Sequence, residues 1–426
     1  MSPFTVDAYQ NEYLTLGGSE VNAIVTVTAD GSAGAGRHQP EAAEIVIVDT
    51  SGSMDSPARK IKAAREATCV AIGCIRDGVA FAVIAGSDHP RVVYPAGGGL
   101  AIASAQTREA AGLAAHRLKA GGGTAIGSWL TRAGELFATA PGRISHAILL
   151  TDGENQHETP EQLDAALAQV EGRFQCDCRG VGTDWRVSEL RRIASTLLGS
   201  VDIIAEPDAM ADDFRAAMQG AMGKTTGNVS LRLWIPQGAG VAFVRQVAPT
   251  IEDLTGRAVQ VNALTADYPT ATWGGETRDY HICINVPARD AGEEMLAGRV
   301  TLLEGDRSLG QALLRAIWTA DEQLCTRISR EVAHYTGQAE LADCIQEGLE
   351  ARKQGDPATA TFRLGRAVQL AAASGNDGTL KLLEAVVDVE DAPTGTVRLR
   401  RDVAIVDEMS LDTRSTATVR VGSGTT

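Results

Sequence analysis

From residue 44 to about 222, short apolar runs alternate with longer segments of helical periodicity. The runs at 44–48, 79–85, 91–94, 146–150, 174–181 and 201–204 read as strands, and their largely unbroken apolar character suits burial on both faces. The segments at 57–75, 107–118, 126–140, 160–170 and 208–222 read as helices. Pro57 and Pro160 suit a first helical turn, where a missing N–H is tolerated. Such alternation predicts a doubly wound, mostly parallel α/β sheet. The connector at 86–90, Gly-Ser-Asp-His-Pro, is too short for a crossover, so 91–94 is expected as an antiparallel edge strand.

The flanks follow other periods. Residues 20–28 alternate, with Val21, Ala23, Val25 and Val27 set against polar neighbours and Ile24 as the exception. That is a half-buried strand. Short strands recur at 229–235, 240–247, 258–264, 279–286 and 299–304, separated by Gly, Pro and Asp, which predicts a β-sandwich over 226–307. The strands of 1–41 are too few for a sheet of their own. They are therefore expected to join that sandwich, with the α/β unit at 42–222 inserted between them. Residues 308–388 are expected to be helical, with 339–354 and 358–374 forming a hairpin about Gly355-Asp356-Pro357. The hairpin is somewhat similar to a tetratricopeptide repeat, but the full pattern and a second copy are absent, so it reads as an appendage. Residues 389–426 are polar and read as a mobile tail. Its hydroxyl-rich stretch at 411–419 is expected to be exposed, either as a phosphoacceptor segment or, the preferred reading, as unmodified polar chain.

Composition narrows the function. The 426 residues suit two or three domains, and 44% apolar content allows sizeable cores. A balance of 39 basic against 54 acidic residues gives −15, which opposes binding to nucleic acid. No segment is apolar over a bilayer-spanning length, and the N-terminus lacks the pattern of a signal peptide. Seven scattered cysteines suit reduced thiols, so a cytoplasmic location is expected.

The chemistry gathers at strand ends. Asp49-Thr50-Ser51-Gly52-Ser53 follows the apolar run 45–48 and supplies one carboxylate and two hydroxyls. Gly121-Gly122-Gly123-Thr124 offers a third hydroxyl, and Thr151-Asp152-Gly153 a second carboxylate after the run at 146–150. Hard oxygen donors of this kind suit Mg²⁺, with Mn²⁺ or Ca²⁺ not separable by donor type. Each piece alone has a plainer reading: a turn or N-cap cluster for Asp49–Ser53, a helix cap for Thr124, a turn for Asp152-Gly153.

Together, in this order, the five residues resemble the metal-ion-dependent adhesion site of von Willebrand factor A domains. That resemblance covers about residues 42–222 and implies a Rossmann-like sheet. It further implies that Ser51, Ser53 and Thr124 ligate the ion, Thr124 directly or through water, and that Asp49 and Asp152 do so directly or through water. An open coordination position would then take an Asp or Glu of a partner protein. The resemblance also implies possible contexts, a MoxR-type AAA+ ATPase or a Ser/Thr kinase and phosphatase system, and the residues do not choose between them.

Other signals lead elsewhere. Gly223-Lys224-Thr225 lacks the earlier glycine of a phosphate-binding loop, with Met218 at that position. Ser51 and Ser53 sit in no nucleophile elbow, and the histidines form no pair at ligand spacing. His157 reads as a solvated loop residue near Asp152, and Trp129 and Trp185 as packing residues on helices. The expected function is a non-enzymatic, Mg²⁺-dependent protein-binding adaptor. The alternatives are a scaffold acting through its helical region or tail, with a structural metal, and a metal-dependent hydrolase. No general base stands beside the metal ligands to favour the last.

Overall fold

The computed structural model describes residues 3–30, 41–56 and 58–421, so the expectation for Pro57 lies outside the described residues. The chain splits into two compact units, Gly36–Gly227 and the combined flanks Met1–Ala35 with Asn228–Thr426.

In the first unit the strands run in the order Val201–Ile204, Gln175–Val181, Ile144–Thr151, Ala42–Asp49, Ala80–Gly86, Arg91–Tyr94. The first five are mutually parallel, and Arg91–Tyr94 pairs antiparallel, as its short connector requires. A two-residue strand, Ala101–Ile102, also pairs with Ala80–Gly86. All eight residues of Ala42–Asp49 are buried, Glu44 and Asp49 among them, which explains the apolar run 45–48. Its Val46 and Val48 share a core with Ile61, Ala64, Ala67, Ala71 and Ile72, the inward stripe of the helix Arg59–Cys74. Phe214 and Met218 of the helix Met210–Met222 complete that core.

Two aromatic lids cover strand-end glycines. A Cβ on Gly86 would come within 2.6 Å of the Trp129 ring, whose indole N–H donates to the Ser87 carbonyl at 2.6 Å. Trp185 lies over Gly180 in the same manner, but from the turn before the helix Val187–Thr196, not from a helix as expected. Gly199 admits even less. A Cβ there would overlap the Cys176 carbonyl, a backbone atom that cannot swing aside. Gly199→Ala is expected to cost about 3 kcal/mol in urea unfolding, at the upper end for overpacking, and a loss below about 1 kcal/mol would contradict the fit.

In the second unit a five-stranded antiparallel sheet runs Phe4–Gln10, Glu20–Ala29, Thr277–Asn285, Gly240–Ala248, Glu252–Asp253. A six-stranded sheet runs Val259–Asn262, Thr265–Pro269, Val229–Trp234, Glu294–Glu304, Arg307–Trp318, Tyr13–Leu14. The sheets face one another, with Gly298 against Ile284 and Gly310 against Val6. Residues Glu20–Ala29 therefore pair with a strand more than two hundred residues later. Ile24 breaks the alternation because it packs outward, in a cluster with Val247, Ala248 and Tyr335 of the helix Arg330–Lys353.

Three expectations for this unit are corrected. Residues 308–388 are not helical throughout, since Arg307–Trp318 is a sandwich strand with Leu309, Ala312, Leu314, Ala316 and Trp318 buried. The helices begin with Glu322–Cys325 and continue as Arg330–Lys353, Pro357–Ser374 and Asp377–Val386. Nor is 389–421 a mobile tail. Val387–Asp391 and Thr396–Leu399 form a hairpin, and Ile405–Arg414 is a helix. Val387, Val397 and Leu411 join a core with Leu341, Ile345, Leu349 and Leu364 of the preceding helices. Apolar residues this sparse give no periodic signal, yet each finds a ready-made apolar surface. The stretch at 411–419 is likewise not an exposed segment. Thr413 and Ser415 are buried, and the Thr418 hydroxyl donates to the Val247 carbonyl at 2.6 Å. Residues 422–426 of the expected tail, and 31–40 of the N-terminal segment, lie outside the described residues.

Candidate metal centre

Sheet order creates the site. The strand Ala42–Asp49 has Ala80–Gly86 on one side and Ile144–Thr151 on the other, so the connections leave it in opposite directions. A crevice opens beyond the carboxyl ends of strands at such a reversal. Three loops meet there. The Thr50 N–H donates to the Gly86 carbonyl at 2.7 Å, the Gly121 N–H to the Thr50 carbonyl at 2.7 Å, and the Gly52 N–H to the Gly122 carbonyl at 3.0 Å. Gly122 has φ +86°, a left-handed conformation that favours glycine, and its missing Cβ leaves room for the Asp88 carboxylate.

The five expected residues come together. Asp49 is fully buried, with Oδ1 accepting from the Ser51 N–H at 2.7 Å and Oδ2 from the Thr151 hydroxyl at 2.6 Å. Asp152, also fully buried, accepts from the Ser53 hydroxyl on Oδ1 at 2.6 Å and from the Lys60 ammonium on Oδ2 at 2.7 Å. The Ser51 and Ser53 hydroxyl oxygens lie 2.9 Å apart. A Cβ on Gly153 would sit 3.4 Å from the Ser53 hydroxyl and 3.8 Å from that of Thr124, so both look onto one glycine.

The plainer cap readings do not describe these side chains. Ser51 makes no side-chain cap to the turn Gly52–Asp55, and Ser53 turns to Asp152. The helix Ile126–Ala138 after Thr124 is instead capped from a distance. Asn155 accepts from the Ile126 N–H at 2.9 Å, and Glu158 from the Gly127 and Ser128 N–H groups at 2.7 and 2.8 Å.

Burial pushes the Asp49 carboxyl up to about 6, despite its bonds from Ser51 and Thr151, and the Asp152 charge adds to the rise. A buried carboxylate in that condition favours a nearby cation. The donor chemistry fits one. Octahedral Mg²⁺ with ligands at about 2.1 Å has oxygen–oxygen edges of about 3 Å. The Ser51–Ser53 spacing of 2.9 Å is close to such an edge, while the Ser53–Asp152 spacing of 2.6 Å is that of a hydrogen bond which holds the carboxylate beside the hydroxyls. Among the described residues no group of three or more His, Cys, Asp or Glu side chains could hold a metal. A cation here would therefore rely on hydroxyls, the two aspartates and water.

Several partners of these residues carry little or no signal in the sequence. His157 is an exposed turn residue, as expected, but it also braces Thr124: its Nδ1 accepts from the Thr124 N–H at 3.2 Å and its backbone N–H donates to the Thr124 carbonyl at 3.0 Å. Asp88 accepts from the Gly123 N–H at 3.2 Å. Thr151 stands next to Asp152 in the motif, and its place at the end of a buried strand is the available signal for it. Lys60 carries none, because a lysine early in a helix is ordinarily solvated.

Residues 45–154 match the family model described as von Willebrand factor type A domain, and 369–415 that described as von Willebrand factor type A C-terminal domain. A solved structure, von Willebrand factor type A from Catenulispora acidiphila, is 50% identical, covering 99% of this chain and 98% of its own at a TM-score of 0.94. The ArnB paralog VWA2 from Sulfolobus acidocaldarius shares the fold at 14% identity, covering 97% of this chain and 98% of its own at a TM-score of 0.59. Among curated proteins, the uncharacterized protein sll0103 of Synechocystis is 30% identical over 217 residues, which is 49% of this chain and 49% of that protein. The chain thus spans about half the length of the curated relative it matches. Among the described residues no helix is long and apolar enough to cross a membrane.

Proposed function

We propose, since the chain belongs to the von Willebrand factor A family, that it is a non-enzymatic binding module that captures a partner's carboxylate through a divalent ion. The carrying observation is the convergence of oxygen donors from three loops: Ser51 and Ser53 lie 2.9 Å apart, Asp152 is hydrogen-bonded to Ser53, and Ser53 and Thr124 look onto the same glycine. When bound, the ion supplies a positive centre with a coordination position for an Asp or Glu side chain. The chain's own part is to present that centre under-neutralised. Ser51, Ser53 and Thr124 are neutral donors, while Asp49 and Asp152 are partly engaged by Thr151, Ser51 and Lys60. Attraction for an incoming carboxylate grows as the contact dries and the effective dielectric falls.

Mg²⁺ is the proposed ion, because compact oxygen sites that retain water suit it. An adaptor role beside an AAA+ ATPase or a kinase and phosphatase system is compatible with such a module. The test is affinity capture by the full chain in Mg²⁺ and in chelator, with Ser51→Ala/Ser53→Ala as the site variant. Partners should be retained only by the wild type in Mg²⁺. Equal capture in chelator, or by the variant, would reject the reading.

A further inference from the structure

We infer that Lys60 is a resident cation of this site: a positioning residue that holds Asp152, weakens divalent-ion binding and strengthens carboxylate capture. The inference rests on the metal-site reading above. Lys60 is the second residue of the helix Arg59–Cys74, and its side chain is only 10% exposed. Lysine is almost never so buried unless paired. Its ammonium lies 2.7 Å from Asp152 Oδ2 and 3.5 Å from Oδ2 of Asp184, whose side chain is 72% exposed. Asp152 therefore has both oxygens engaged before any ion arrives, one by Ser53 and one by Lys60. The carboxylate is held in place and need not be organised by the ion.

The charge count has two opposed effects. The site offers a divalent ion two carboxylates, but one is already neutralised by the ammonium, so the ion meets a weaker field. Once the ion is bound, the ion, its two carboxylates and the ammonium carry a formal surplus of one positive charge, which Asp184, 72% exposed and 3.5 Å from the ammonium, offsets only weakly through solvent screening. Without Lys60 that surplus vanishes. Lys60 thus trades ion affinity for attraction toward an acidic ligand. A compact ammonium suits this role, acting as a point charge without a planar fork to claim further oxygens. Asp184 draws the ammonium from the solvent side, so it should influence the ion partly through Lys60.

The test uses the full chain with Mn²⁺ as the probe, free ion being read by electron paramagnetic resonance. Acetate is then titrated into the Mn²⁺-loaded protein and followed by water-proton relaxation. Lys60→Met is expected to bind Mn²⁺ about tenfold tighter and acetate about tenfold more weakly, each about 1.4 kcal/mol. Lys60→Arg keeps the positive charge and should not show the tighter Mn²⁺ binding of Lys60→Met, although its planar fork can claim further oxygens. Lys60→Gln, which can still donate to Asp152, serves if the methionine variant does not fold. Asp184→Asn should weaken Mn²⁺ binding in the wild type and have a smaller effect beside Lys60→Met.

A merely structural lysine would weaken both affinities together, so opposite signs distinguish the roles. Unchanged or weaker Mn²⁺ binding by Lys60→Met and Lys60→Gln would overturn the inference while leaving the site intact, provided wild type binds and Ser51→Ala/Ser53→Ala does not. Absence of Mn²⁺ binding in every variant and in the wild type would instead reject the metal site itself, and this inference with it.

Discussion

Asp49→Asn is expected to lower divalent-ion affinity by about 100-fold while raising the melting temperature of the metal-free protein at pH 7. Both effects follow from burial. The carboxyl is pushed up to about 6 from its ordinary 3.8, so the folded state holds its proton more tightly than the unfolded state does. The stability associated with that proton is lost as pH rises from about 4 to 6, and at pH 7 the full cost of the buried charge is present. Asparagine removes the charge and keeps an oxygen to accept from the Ser51 N–H, while its amide can donate to the Thr151 hydroxyl. The loop should therefore hold its shape. Asp49→Ala leaves the Ser51 N–H without its acceptor, while the Thr151 hydroxyl can still donate to the Gly153 carbonyl at 3.2 Å, and it should lose ion binding and stability together. Calorimetric titration with Mg²⁺ and thermal melts in chelator measure the two quantities. An asparagine variant that binds within tenfold of wild type would remove Asp49 from the site.

His146→Leu is expected to cost about 3–5 kcal/mol, because it leaves the buried Glu44 carboxylate without its partner and the half-buried Asp177 held by Ser200 alone. His146 Nδ1 lies 2.9 Å from Glu44 Oε1, and its Nε2 lies 3.2 Å from Asp177 Oδ2. With a carboxylate at each ring nitrogen, both nitrogens donate and the ring is an imidazolium. Burial alone would lower the His146 pKa, but the Glu44 charge and the Asp177 hydrogen bond push it up to about 10. The folded value thus lies above the ordinary 6.5. The contribution of this group is complete below about pH 6.5 and is lost progressively as pH rises toward 10.

Wild-type stability should fall across that window more steeply than that of Glu44→Gln/His146→Leu/Asp177→Asn. The triple variant should also recover much of the loss at pH 7, since an uncharged set replaces unpaired charges. Hydrogen exchange of the Ile144–Thr151 strand amides in urea reads the effect within this unit. A single-variant loss below about 1 kcal/mol, or parallel pH profiles, would show that the triad is not held as an ion network.

The inserted unit is largely legible because its strands are buried on both faces. Apolar runs such as 45–48 can lie nowhere else, and the short connector at 86–90 dictates an antiparallel edge. The strand Arg307–Trp318 is not legible, although Leu309, Ala312, Leu314, Ala316 and Trp318 are buried. Leu313 and Ile317 blur its alternation, and a helical segment follows closely. The hairpin and helix of 387–414 are hidden for another reason: they owe their order to the surface of the preceding helices, and their own apolar content is low. Ile24 marks a second buried face that one strand's sequence can signal but not identify.

By itself, the sequence determined the doubly wound unit and which oxygen-bearing residues stand at its strand ends, because buried strands and tight glycine loops leave strong local patterns. Only the tertiary structure decided the company those residues keep. Thr151 on Asp49, Lys60 on Asp152 and His157 on Thr124 are contacts between separate elements, set by strand order and helix approach. The same holds for the Glu44–His146–Asp177 triad, whose members are ordinary residues until three parallel strands align them. Charge balance is a property of such alignment, and it governs how strongly the site would hold an ion and what that ion would then attract.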